Sequence, residues 1–159
     1  MHKSIMDSFM REALNEAKKG VRRSHGGPFG AVIVKDKKII AKAHNEVIKN
    51  NDPTCHAEIQ AIRKAAKKEK TFDLSSCTLY ATGEPCPMCF GAIHWAKIKK
   101  VYFACDRKDA EKIGFDDKFI YDAIKGTAKR KKVMLQQIDR SKCLPLFNEW
   151  KEKEDKVQY

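Results

Sequence analysis

The chain has 159 residues, 42% of them apolar and 34% charged, which suits one folded domain and excludes a disordered chain. No apolar run nears the roughly 18 residues that cross a bilayer, and the opening Met1-His2-Lys3-Ser4 has no apolar leader, so a cytoplasmic protein without membrane contact is expected. Lys plus Arg number 33 against 21 Asp plus Glu, a net charge of +12. Its basic residues are spread over Lys64–Lys70, Lys97–Lys100 and Lys129–Lys132, so they read as solvated surface before they read as a nucleic-acid tract.

In chain order, residues 4–19 form an amphipathic helix, with Ile5, Phe9 and Ala13 beside Met6, Met10, Leu14 and Ala17, capped by Ser4 and ended by Gly20. Gly26-Gly27-Pro28 is a turn, followed by strands over 30–35 and 38–44 joined at Asp36-Lys37. Asn50–Thr54 is a loop that opens a helix over 55–68. Strands are expected at 78–81, 100–104 and 133–138. Helices are expected from Cys86 for about ten residues, with Pro87 at the first position, and over 118–124 and 144–156. Strands alternating with helices predict a three-layer α/β domain.

Six cysteines occur, Cys55, Cys77, Cys86, Cys89, Cys105 and Cys143. In a reducing compartment the pair in Cys86-Pro87-Met88-Cys89 points to metal binding or redox chemistry rather than a disulfide framework. At a helix start, residues three apart share a face, and the helix N-terminus favours thiolates. His56, read as lying in the first turn of its own helix, adds an imidazole. Two thiolates and one imidazole suit zinc and leave a fourth position open to a water. Glu58 is two residues from His56, about 200° around a helix. The two side chains can meet only beyond the helix end, where Glu58 can reach a metal-bound water as a general acid/base. The combination His56-Ala57-Glu58 with Pro85-Cys86-Pro87-Met88-Cys89 is the signature of zinc-dependent base deaminases. Two other readings remain: a closed zinc site with Cys55, Cys77, Cys105 or His94 as fourth ligand, and a thioredoxin-like redox pair.

Almost end to end, the chain resembles the bacterial-type guanine deaminases of the cytidine deaminase-like superfamily. The resemblance rests on Gly26–Val34, Asn51–Thr54, Glu84–Cys89, Gly91–Ala96, Gly114–Tyr121 and the final Tyr159. It implies one domain over 1–159, a five-stranded mixed sheet between helices, and one zinc per subunit held by His56, Cys86 and Cys89. It also implies a homodimer that exchanges the segment from about 140 to 159. Implied too is hydrolysis of guanine to xanthine and ammonia, with attack at C2 by a zinc-activated water and Glu58 as proton shuttle. Asp117 would be a second catalytic carboxylate. Asn45, Phe29, Ala57, Trp95 and the partner's Tyr159 would contact the purine. Plainer roles stay open: a turn for Asn45, core packing for Phe29 and Trp95, a helix cap for Asp117 and a frayed end for Tyr159. Cys55, Gly83 and Phe90 depart from the family pattern near the pocket wall. A tRNA adenosine deaminase, or a non-catalytic RNA-binding zinc module, is the alternative function.

Overall fold

The structure, a computed structural model, describes residues 7–128 and 133–158. Ser4, Tyr159 and the tract Lys129–Lys132 lie outside the described residues. Helix α1 runs Ser8–Arg22, and the Asp7 carboxylate caps it by accepting from the N–H groups of Phe9 and Met10 at 2.8 and 3.1 Å. Gly20 does not end it. It sits inside the helix, where a Cβ would come within 2.7 Å of the His44 ring.

Strands β1 (Gly30–Lys35) and β2 (Lys38–His44) match their expected limits. Between them Asp36 and Lys37 both take positive φ, 47° and 60°, the backbone of the tight hairpin turn that usually selects Gly. Four residues, Val47–Asn50, form α2, which has no periodicity to announce it. Next come α3 (Ala57–Glu69), β3 (Thr78–Gly83), α4 (Pro87–Trp95) and β4 (Lys100–Cys105). Three helices follow among the described residues: α5 (Arg107–Lys112), α6 (Lys118–Ile124) and α7 (Arg140–Glu152).

Among the described residues the sheet has four strands in the order β2-β1-β3-β4, with β1 antiparallel to both neighbours and β3 parallel to β4. The expected fifth strand is absent: residues 133–138 form no strand, and Leu135 is 94% exposed. Strand-forming side chains make a strand only where an edge pairs with them and a surface buries them. The last helix starts at Arg140, ahead of the expected Leu144, and Leu146 and Phe147 remain in solvent.

Helix α1 covers one face of the sheet and α3 with α4 the other, so the three layers stand. Strand β1 is buried on both sides. Its Val32 and Val34 meet Ala13, Phe9 and Met10 of α1. Its Ala31 and Ile33 join Ala57, Ala61, Ala65, Leu79 and Ile93. The small residues set the layer spacing. On α3, Ala57, Ala61 and Ala65 recur every fourth position and are fully buried, so the helix backbone lies close on Ala41 and Ala43. A Cβ on Gly30 would meet the Ala13 carbonyl at 2.0 Å, so α1 approaches β1 with no side chain between them.

Holding a non-glycine residue in the left-handed region costs about 1 kcal/mol. Lys37→Gly is therefore expected to stabilise the hairpin by about 0.5–1 kcal/mol and raise the thermal midpoint by about 1–4 °C at fixed zinc. An unchanged or lower midpoint would show that the turn carries no such strain.

Candidate active site

His56 and Cys86 are both helix N-caps rather than first-turn residues. His56 precedes α3 with extended backbone (φ −66°, ψ 154°), and Cys86 precedes α4 likewise (φ −67°, ψ 169°). Two helix N-termini thus converge on one point. This resolves the 200° problem between His56 and Glu58, because the histidine stands outside the helix that carries the glutamate. Cys89, at the third position of α4, completes the group. The His56 Nδ1 lies 3.5 Å from both the Cys86 and Cys89 sulfurs, and all three donor atoms lie within 4.8 Å of one another.

Two sulfurs and one imidazole at that spacing fit zinc. Among the described residues no fourth ligand joins them. Cys55 bonds Asp52 at 3.2 Å, Cys77 is buried in the core under α3, and Cys105 is exposed. His94 turns to the Phe90 carbonyl at 2.9 Å. A closed site is therefore not built here. A redox pair is also disfavoured, because His56 stands equidistant from both sulfurs.

Without metal the three ligands share protons unequally. The hydrogen bond from Cys89, helped by His56, pulls the Cys86 thiol down to about 4. The same bond to Cys86, with burial, pushes the Cys89 thiol up. The Cys86 thiolate in turn raises His56. Glu58 is 7% exposed, and burial raises its carboxyl above the usual range. It hydrogen-bonds the Cys89 sulfur without joining the three-donor group, which places a buried carboxyl beside the candidate metal position.

Asp117 precedes α6 but does not cap it: its side chain makes no cap bond, and Asp116 instead accepts from the Lys118 N–H at 2.8 Å. The Asp117 carboxyl is raised by burial and by the charge of Cys86, so it belongs to the same electrostatic neighbourhood as the ligands. Residues without an assigned role surround it, and the charges of Arg107 and Glu84 act on its carboxyl. Arg107 pairs with Glu84 at 3.0 Å and lies over the Tyr121 ring at 4.6 Å. The Tyr121 hydroxyl donates to the Pro85 carbonyl at 3.2 Å, next to Cys86. The Phe115 ring meets Phe29 edge-on, with centroids 5.0 Å apart. Gly83 faces the Phe29 ring, where a Cβ would come within 3.2 Å. Nothing in local spacing announces these contacts. The only signal was that Gly114–Tyr121 formed one conspicuous segment.

Asn45 is 4% exposed, and its Oδ1 accepts from the Val47 N–H at 3.1 Å, so it does hold the turn into α2. Gly26 packs on the same amide, close enough that a Cβ would overlap it. Ala57 is fully buried in the core at the start of α3. Trp95 is not brought to the cluster: it ends α4 and is 67% exposed. Phe90 is no pocket wall either. It faces outward against His94.

The model of the cytidine and deoxycytidylate deaminase zinc-binding region matches residues 3–105. The guanine deaminase of Bacillus subtilis (strain 168) is 45% identical over 153 residues, covering 96% of this chain and 98% of its own length. Its X-ray structure superposes with a TM-score of 0.90 over 97% of this chain and 99% of that one. The tRNA-specific adenosine deaminase of Aquifex aeolicus is 46% identical over 101 residues, 63% of this chain and 66% of its own. A guanine deaminase structure from Nitrosomonas europaea gives a TM-score of 0.64 at 33% identity, covering 69% of this chain and 63% of that one.

The depressed Cys86 thiol makes a prediction for metal-stripped protein. Thiolate is present above pH 4 and lost as pH falls through it, so iodoacetamide at pH 6 is expected to label Cys86 and to spare it once zinc is restored. Peptide mapping that finds Cys86 unmodified at pH 6 would contradict the thiolate.

Proposed function

We propose that this chain, which belongs to the cytidine and deoxycytidylate deaminase zinc-binding family, is a guanine deaminase that hydrolyses guanine to xanthine and ammonia. Agreement with the Bacillus subtilis guanine deaminase over nearly the whole of both chains carries the reading. The adenosine deaminase agreement stops at 101 residues. The position of Asp117 supports it independently, since a carboxyl free of capping duty stands within the field of Cys86. Among the described residues no helix is long and apolar enough to cross a membrane.

His56, Cys86 and Cys89 would hold zinc, whose chemistry is to activate a water as nucleophile at neutral pH. The protein's own groups move the protons. Glu58, buried beside the metal position, takes one from the attacking water as a carboxylate and delivers it to the ring nitrogen N3 as C2 becomes tetrahedral. Glu58 then carries the hydroxyl proton to the departing amine, aided by Asp117, and C2 closes to a carbonyl. One water is consumed and one ammonia released. Asn45 has its amide NH2 to offer the purine edge while its oxygen holds the turn. Phe29, braced by Phe115, offers a ring face.

We also propose a homodimer with exchanged C-terminal segments, in which the partner's tail and Tyr159 close the site and the partner's surface covers Trp95. The observations in support are apolar side chains left in solvent along the tail, at Met134, Leu135, Leu146 and Phe147, and the half-exposed Tyr102 and Phe103 on edge strand β4.

Zinc-loaded protein is expected to form xanthine and ammonia from guanine, and chelation to abolish it. Glu58→Gln should retain zinc and lose about 10²–10⁴-fold in turnover, and Asp117→Ala about 10²-fold. Loss of zinc in Glu58→Gln would refute the shuttle role. Turnover of adenosine in a tRNA stem-loop, with none of guanine, would replace the substrate. For the exchange, mixing Glu58→Gln subunits with subunits lacking Tyr159 is expected to restore activity that neither shows alone. No recovery after verified subunit mixing would leave each tail on its own body.

A further inference from the structure

Behind Asn45 lies a second cluster that the deamination reading does not use. His25, on the loop before Gly26-Gly27-Pro28, places Nδ1 2.9 Å from Nε2 of His44. The Glu46 Oε1 lies 3.9 Å from His25 Nδ1 and 3.7 Å from His44 Nε2. The three atoms thus form a triangle with sides of 2.9, 3.7 and 3.9 Å. A tetrahedral zinc with bonds of about 2.0–2.1 Å separates its ligand atoms by about 3.3 Å, the middle of that range. We propose that His25, His44 and Glu46 form a second binding site for a divalent transition-metal cation of the zinc type, separate from the His56–Cys86–Cys89 centre.

The surroundings fit a metal site in three ways. His44 is oriented from behind: its Nδ1 donates to the Glu16 carboxylate at 3.0 Å, which leaves the Nε2 lone pair facing His25. A carboxylate behind a histidine is the arrangement that fixes ring and tautomer in metal centres. Glu46 is oriented too, because Gln60 holds its other oxygen at 2.9 Å. The donors are also partly sheltered, with side-chain exposures of 18%, 8% and 14% for His25, His44 and Glu46, so a fourth position opens to water. Lys49 competes, with its ammonium 2.6 Å from the same Glu46 oxygen. Its side chain is 47% exposed and can turn out to solvent as the cation enters.

Placement makes the site more than incidental. The His25 carbonyl accepts from the N–H groups of Ile48 and Lys49, at 3.0 and 3.1 Å, and its ring meets the end of β2. A cation here ties the Gly26–Phe29 loop to the strand end that carries Asn45. The donor set also differs in kind from the catalytic one: two imidazoles and a carboxylate, with no sulfur.

Tag-free protein, stripped and then dialysed against micromolar zinc, is expected to hold two zinc ions per chain by elemental analysis. His25→Ala and Glu46→Gln should each hold one, with unchanged circular dichroism, while Cys105→Ser keeps two. Titration with Co²⁺ gives a second readout. One equivalent should bring the ultraviolet thiolate-to-cobalt band, and the next should add only visible d–d absorption. One zinc in the wild type overturns the proposal and leaves His25 and His44 as a hydrogen-bonded pair. Two zinc ions in both variants, or added thiolate absorption with the second Co²⁺, overturns it as well.

Discussion

The candidate active site depends on two helix N-termini meeting. His56 caps α3 and Cys86 caps α4, and their donor atoms stand 3.5 Å apart although 30 residues separate them in the chain. The alanine face of α3 makes that meeting feasible. Ala57, Ala61 and Ala65 let the helix lie close on the sheet, and Ile93 seats α4 in the same core. A larger side chain at any of the three alanines would lift α3 off β1 and β2 and carry His56 away from the sulfurs.

The convergence sets the electrostatics as well. Helix N-termini attract negative charge, and here they face a thiolate, a second thiol and a buried carboxyl. The hydrogen bond between the two sulfurs lowers the Cys86 thiol and raises the Cys89 thiol. His56, Cys86 and Cys89 would hold a divalent cation, with both sulfurs as thiolates. Glu58 stands outside the three-donor group and is buried beside it.

Further contacts bring the later part of the chain to this centre. Glu84, Arg107 and Tyr121 link β3, α5 and α6 around Pro85, and Phe115 reaches Phe29. Beyond residue 133 the described chain makes little use of its apolar side chains, which stay in solvent. A helix such as α7, with Pro145 inside it and no buried residue, is held poorly by its own propensity.

Local order was legible in the sequence. The hairpin Gly30–His44 followed from apolar runs, and Pro87 announced α4. The candidate ligand set His56, Cys86 and Cys89, which the fold brings together, followed from residue type and spacing, because a signature of that kind lies within two short segments. Tertiary structure alone decided what depends on long-range contact. Residues 133–138 have strand-forming side chains but no partner, so the sheet stops at four. His56 and Cys86 became caps because packing set where α3 and α4 begin. His25, His44, Glu46 and Glu16 share no spacing, and only the crossing of a loop, a strand end and α1 brings them together. Periodicity reports which face of an element is apolar. It does not report which face of another element will meet it, since that is settled by the packing of the whole chain at once.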